Sequence, residues 1–446
     1  MASLTSSLRR TTTSCDAARA RWHAPSRQLL GTVAVAGLII ASALLATGAA
    51  ARRRLYFVPA SEHAFPDWLA GPLHGADLVI LPPRGAQLLA AMLLCYLVAL
   101  ACVRMLPARL VIAAVLLLHV VFLLAPPLLS ADVFGYIDYA RLAVAHDLNP
   151  YVHGAAAAPH EPVARFVGWH DIATPYGPLF TVLSLPLAWL STPVALWACK
   201  VTAALLSLGC LALVWRIATR RGQNPTVALA FVGLNPALLA FGVGGAHNDF
   251  LLLALALAAI LLVVEQRPAA GGLAGALAIG VKAPAALLLP FLVLGARPRR
   301  PAIAGACAGA SALLVVALAA FGRDAFAFAT QIDQQQQLVA TNSVPRRLAG
   351  LLGFDAIPPA LRALFGIAFV MVVVPLLWRT WRCRIDWIAA AGWATLALLL
   401  STAWLVAWYL IWLLPLAALS GDRRLRIATL LLTGYLIATR AAYQVL

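Results

Sequence analysis

Residues 110–129 read LVIAAVLLLHVVFLLAPPLL, and residues 130–151 continue as SADVFGYIDYARLAVAHDLNPY. The first run is long and apolar enough to cross a bilayer. The second is polar, so Asp132 stands where a membrane helix emerges into water. Asp132, Tyr136 and Tyr139 are spaced i, i+4, i+7 and share one face of a short amphipathic helix, which Asn149-Pro150 ends. A carboxylate at the membrane surface, under an interfacial helix, suits chemistry on a substrate with a polar reactive head and a lipid tail.

Working outward, the 446 residues are 63% hydrophobic and only 11% charged, where soluble domains run near a quarter charged. Apolar runs recur along the whole length. The sequence therefore predicts an all-α polytopic membrane protein with no separate soluble domain. Residues 1–28 read as a disordered basic cytoplasmic tail and 29–446 as one transmembrane domain. The first apolar run reads as a retained helix rather than a signal peptide. The net charge of +17 follows from the excess of arginine in cytoplasmic loops, so no nucleic-acid partner is expected. The seven cysteines lie in apolar runs or basic loops and imply no disulfide framework.

Clusters at Arg9 to Arg27, Arg104/Arg109, Arg216/Arg220/Arg221, Arg267, Arg297/Arg299/Arg300, Arg379/Arg382/Arg384 and Arg423/Arg424/Arg426 set the topology. With all of them cytoplasmic, spans fall at 29–51, 86–103, 110–129, 193–215, 225–243, 250–264, 302–321, 359–378, 386–400, 406–420 and 427–443. Pro178 to Leu190 is too short to cross and reads as interfacial or re-entrant. Residues 269–296 must go out and back, which makes a short hairpin split at Lys282-Ala283-Pro284. Counting both halves gives about 13 membrane segments. Arg52, Arg53 and Arg54 dissent from this pattern and fall outside. The large loops 52–85, 130–177 and 322–358, with their short interfacial helices, put the working face outside a cell membrane, with the N-terminus in the cytoplasm.

Several residues carry two readings. Asp132 is a general base for an attacking hydroxyl, or a first-turn acid after Ser130 as N-cap. Asp138 and Arg141 suit a surface ion pair. Lys200 and Lys282 are the only lysines among 33 basic residues, and both lie in apolar segments. Each is a point charge for a lipid phosphate or a snorkelling cation. In Gly244-Gly-Ala-His-Asn-Asp249, Asn248 or Asp249 suits a cap of the next helix, and His247 and Asp249 alternatively suit binding of sugar hydroxyls. Tyr176 in TPYGPL is a stacking surface or part of a rigid turn. Trp404, Trp408, Tyr409 and Trp412 lie near an external turn and suit an aromatic belt. Gln331 and Gln334 to Gln337 are amide donors or a solvated helix face. His146, His153, His160 and His170 lack metal-ligand spacing, and no nucleotide-cradling glycine pattern occurs.

At these residues the chain resembles the GT-C superfamily of membrane glycosyltransferases. It is most similar to the actinobacterial polyprenyl-phosphomannose-dependent α-1,6-mannosyltransferases. The likeness lies in ADVFGYIDYARLAVAHDLNPY (131–151), TPYGPLF (174–180), GGAHNDF (244–250), AGALAIGVKAPAALLLP (274–290) and AWYLIWLLPLAAL (407–419). It departs at Ala131, where many relatives carry a second acid, and at Ala407, where a proline is usual.

The resemblance implies a GT-C-type helix bundle with an external cavity. It implies a polyprenyl-phosphate-sugar donor, most simply of mannose, a glycan or glycolipid acceptor, and inversion with Asp132 as base. Lys200 and Lys282 would serve the donor phosphate, and Tyr136, Tyr176, His247, Asn248, Asp249, Trp408 and Tyr409 the substrates. No cofactor is implied, although a divalent metal would be compatible. The sibling readings are another lipid-phosphate sugar (arabinofuranose or glucose) or a protein acceptor. The reading from another class is a lipid or sugar transporter, against which the lack of an evident internal repeat counts.

Overall fold

The computed structural model describes residues 4–51, 66–76, 78, 80, 82–328, 330 and 337–443. Arg52, Arg53, Arg54, Gln331, Gln334, Gln335 and Gln336 lie outside the described residues. The described residues form helices and connecting turns with no strand. Five helices are long and apolar enough to cross a membrane: Pro25–Ala50, Pro83–Met105, Thr192–Arg220, Arg299–Ala327 and Pro359–Trp381. Seven shorter apolar helices of 10–17 residues fill out the bundle. The expected 13 membrane segments are thus not all full-length helices.

Proline explains the two clearest differences. The run 110–129 yields a helix only over Ala108–Leu124, because Pro126 and Pro127 cannot continue it. The expected span 225–243 breaks after Gly233. Asn235 precedes Pro236 and is turned out of the helix, and its side chain accepts the Ala237 N–H at 2.9 Å. A π-helical segment, Leu238–Val243, follows. At the N-terminus the first helix runs Leu4–Ala50, continuing through the tail expected to be disordered; the alanines and arginines of DAARARWH favour helix.

The hairpin expected over 269–296 is present. Helix Pro268–Ile279 stops before Lys282, whose backbone is extended (φ −158°, ψ 132°), and Ala283–Leu287 and helix Leu288–Gly295 return. Small residues let its first arm press against Arg299–Phe321. A Cβ on Gly272 would stand 1.9 Å from the Ala302 carbonyl oxygen, and one on Gly305 1.9 Å from that of Ala269. Backbones this close fix the hairpin by van der Waals packing where lipid offers no hydrophobic drive. Pro178 to Trp189 forms one short helical stretch, Pro178–Ser184 and Leu185–Trp189, in keeping with a segment too short to cross.

Candidate active site

Asp132 opens the helix Asp132–Ala145. The N-cap is Ala131 rather than Ser130, but Ser130 Oγ still accepts the Asp132 N–H at 3.2 Å. The helix does not lie on the surface as its amphipathic pattern suggested: Val133 through Leu142 are all buried. Phe134 stacks on Phe166 at 5.1 Å. Arg141 pairs with Glu161, not with Asp138 as expected, and donates to the Leu190 carbonyl at 2.9 Å.

Asp138 is left fully buried, with neither carboxylate oxygen hydrogen-bonded. Burial, and then the Glu161 charge, push its carboxyl up to about 6. An unfolded aspartate titrates near 4, so ionisation costs the native state stability as pH rises from about 4 to about 6, on the order of 2 kcal/mol. Asp138→Asn is therefore expected to raise the melting temperature at pH 7.5 and to leave it nearly unchanged at pH 4. Thermal unfolding across that range checks this; an equal gain at both pH values would exclude the buried charge as the cause.

Asp132 Oδ2 lies 3.6 Å from His247 Nδ1, and its side chain keeps 18% of its surface exposed. Burial holds the Asp132 carboxyl above the usual carboxylate range, while the Lys282 charge pulls the other way. His247 belongs to the turn after the π-helical segment and stacks on Trp408, with ring centres 4.1 Å apart and planes at 18°. Tyr136 braces the same turn: its hydroxyl donates to Asn248 Oδ1 and accepts the Asn248 N–H, both at 3.3 Å. Asp249 is fully buried. Its carboxylate receives Lys282 Nζ at 3.1 and 3.0 Å and Trp412 Nε1 at 2.7 Å. The Lys282 ammonium also sits over the rings of Tyr409 (5.1 Å), Tyr176 (5.6 Å) and Trp412 (5.7 Å), an arrangement that favours a cation.

The TPYGPLF segment holds the hairpin tip by main-chain bonds. Gly177 N–H donates to the Val281 carbonyl at 3.0 Å, and Leu179 N–H to that of Gly280 at 2.9 Å. A Cβ on Gly177 would meet the Gly280 oxygen at 2.4 Å. Gly177→Ala must therefore push the tip away and carry Lys282 with it. The expected result is a melting temperature several degrees lower, since a close backbone contact cannot take up an added methyl without moving. Thermal unfolding checks this; a variant with the parent's melting temperature would show that the tip tolerates the shift.

These residues surround a cavity of about 380 Å³, lined by Asp132, Gly135, Tyr139, Tyr176, Lys282, Asn342, Trp404, Trp408 and Tyr409 among others. A second, largely apolar cavity of about 280 Å³ shares Pro175, Lys282, Trp404 and Tyr409 with it. A third, of about 40 Å³, continues inward past Pro284, Leu398 and Trp412. Lys282 thus stands where a polar cavity meets an apolar groove.

Of the residues singled out in the sequence, Asp132, Tyr176, Lys282, Trp408 and Tyr409 line the first of these cavities. His247 and Asn248 line a separate cavity of about 330 Å³ together with Tyr136, and Asp249 holds the Lys282 ammonium. Tyr136 turns toward Asn248, and Tyr139 takes the lining position in its place. Lys200 is not brought to the cavity. It is fully buried and donates to the Phe122 and Gly244 carbonyls at 3.2 and 3.3 Å.

The sequence reading passed over Trp412 as belt-like. Its spacing of i+4 from Trp408, which puts both on one helical face, was the available signal. Asn342 carried none. Among the described residues no three His, Cys, Asp or Glu side chains gather as a metal-holding group.

A helical membrane bundle that encloses a carboxylate, a lysine and an aromatic cluster around one cavity is the class of protein these features define. Residues 28–297 match the family described as "Alpha-(1->6)-mannopyranosyltransferase, N-terminal domain", and residues 342–440 match the "MptB C-terminal domain". The chain belongs to the α-(1→6)-mannopyranosyltransferase family. It is 30% identical over 341 residues to alpha-(1->6)-mannopyranosyltransferase A of Mycobacterium tuberculosis, covering 69% of this chain and 65% of that one. It is 32% identical over 181 residues to the protein of the same name from Corynebacterium glutamicum, covering 38% and 35%. The chain thus spans less than two thirds of the length of these relatives. No solved structure matches it.

Proposed function

We propose that this protein transfers mannose from a polyprenyl-phosphate donor to a glycan or glycolipid acceptor at the external face of the cell membrane, with inversion and with Asp132 as general base. The observation that carries the reading is the place of Lys282, between the polar cavity of Asp132 and the apolar groove. A donor with its phosphate at Lys282 lays its hydrocarbon in that groove and presents its sugar toward Asp132. The mannose assignment is drawn from the names of the relatives.

In the reaction the acceptor hydroxyl oxygen attacks the anomeric carbon as its proton passes to Asp132. The bond from that carbon to the phosphate oxygen breaks, and its electron pair leaves with polyprenyl phosphate. Lys282, backed by Asp249, stabilises the charge that grows on the leaving oxygen. Because the leaving group is already anionic, this reading asks for no cofactor. Lys200, anchored to two carbonyls away from the cavity, has no part in it. The N-terminus is assigned to the cytoplasm by the arginine clusters.

The test is transfer by the full chain in nanodiscs, from labelled polyprenyl-phosphomannose to a mannan oligosaccharide. Transfer supports the reading. Transfer only from polyprenyl-phosphate arabinofuranose or glucose would keep the enzyme and replace the sugar. Failure with every donor, together with movement of lipid-linked sugar across sealed vesicles, would make the protein a transporter.

A further inference from the structure

We propose that His247 is a positioning residue for the Asp132 carboxylate: its Nδ1–H is directed at Asp132 Oδ2 and leaves Oδ1 free for the acceptor hydroxyl. This rests on the reading of Asp132 as general base.

Three observations carry it. The first is that the ring is immobilised. His247 is 1% exposed, lies flat on Trp408, and sits in a turn braced by the Tyr136 hydroxyl. The second is that its polar edge is otherwise unused. Neither ring nitrogen has a hydrogen-bond partner, and the acid facing Nδ1 is Asp132, at 3.6 Å. That separation exceeds a formed bond of about 2.9 Å. A buried donor with no partner is costly to the fold, so the pair gains by closing.

The third is backbone conformation. Ala246, just before His247, has φ +55°, and Leu129, three residues before Asp132, has φ +62°. Side-chain-bearing residues seldom adopt this region, and such conformations persist where the surroundings fix a functional geometry. Here they stand on both approaches to the same contact.

Chemistry selects the tautomer. Burial, and then the Lys282 charge, hold the imidazole well below its ordinary pKa, so it is neutral and has one N–H to place. A lone pair on Nδ1 would repel the carboxylate, so the proton belongs on Nδ1. The other groups that act on Asp132 are Lys282, Asp249 and the Ser130 hydroxyl. The phenols of Tyr136, Tyr139, Tyr176 and Tyr409 feel its charge in turn. Of these only the Ser130 hydroxyl is a hydrogen-bond partner of the Asp132 side chain.

The test uses two amides that mimic different ring nitrogens. An asparagine amide reaches the position of Nδ1, and a glutamine amide that of Nε2. The kcat/KM of the full chain in nanodiscs is measured against pH for parent, His247→Asn, His247→Gln and Asp132→Asn.

His247→Asn is expected to keep kcat within about threefold and to hold the acid limb in place. His247→Gln is expected to lose about tenfold or more in kcat, the lower part of the range for a disturbed general base. Its acid limb should move up by about one pH unit, as when a carboxylate loses a hydrogen-bond donor, with the donor KM little changed. Equal behaviour of the two amides with an unmoved limb, or glutamine outperforming asparagine, would overturn the role of His247. Parent-like transfer by Asp132→Asn would instead overturn the base reading beneath it.

Discussion

Asp132→Asn is expected to lower kcat by at least about 100-fold, the lower range for removing a general base, with the melting temperature unchanged or slightly raised. The two readouts point in opposite directions for one reason. Burial makes the Asp132 charge costly to the fold and holds its carboxyl above the ordinary range. An amide of the same shape removes that cost and also removes the proton acceptor. The same shift places the acid limb of the parent's pH profile above the usual carboxylate value near 4, because the base works only when ionised. A large loss of activity with a lower melting temperature would point to damage of the fold, and undiminished transfer would remove Asp132 from the chemistry.

The second large effect concerns the buried pair of Asp249 and Lys282. Removing one partner of such a pair leaves a charge without compensation and costs about 3–5 kcal/mol. Asp249→Asn and Lys282→Met are each expected to melt well below the parent and to lose transfer. The double variant should recover most of the stability, since no buried charge remains, and none of the activity, since the cavity then lacks its cation. A thermal series on the four proteins, read with transfer rates, checks both statements. If the double variant melts no higher than either single one, the pair is not a coupled unit. If Lys282→Met transfers at the parent rate, the ammonium does not serve the leaving group.

The sequence made the ends of the site legible and hid its interior. The exit of a membrane helix at Asp132 and the break at Lys282-Ala-Pro could be read because polarity and proline interrupt apolar runs. The broken span at Asn235-Pro236 followed from the same rule, which a hydropathy count overrode. What remained hidden depends on long-range partners. An intramembrane lysine needs a counter-ion, but the choice of Asp249, 33 residues away, is made by the turn that aims that carboxylate inward. Lys200 obeyed the same requirement with two carbonyls instead, which no local pattern distinguishes. Trp412 looked like an interfacial aromatic because a belt and a cavity wall use the same residue types; packing decides between them.

The ion pair also bears on how a turnover ends. With Asp132 ionised, the two aspartates and Lys282 give the site one net negative charge. In the proposed reaction the proton taken up by Asp132 would offset the second charge that appears on the departing phosphate, so the total is unchanged while product forms. Once that proton escapes to water, the dianion faces a carboxylate again with a single ammonium between them. Loss of the proton would then expel the spent lipid, and inhibition by polyprenyl phosphate should weaken as pH rises.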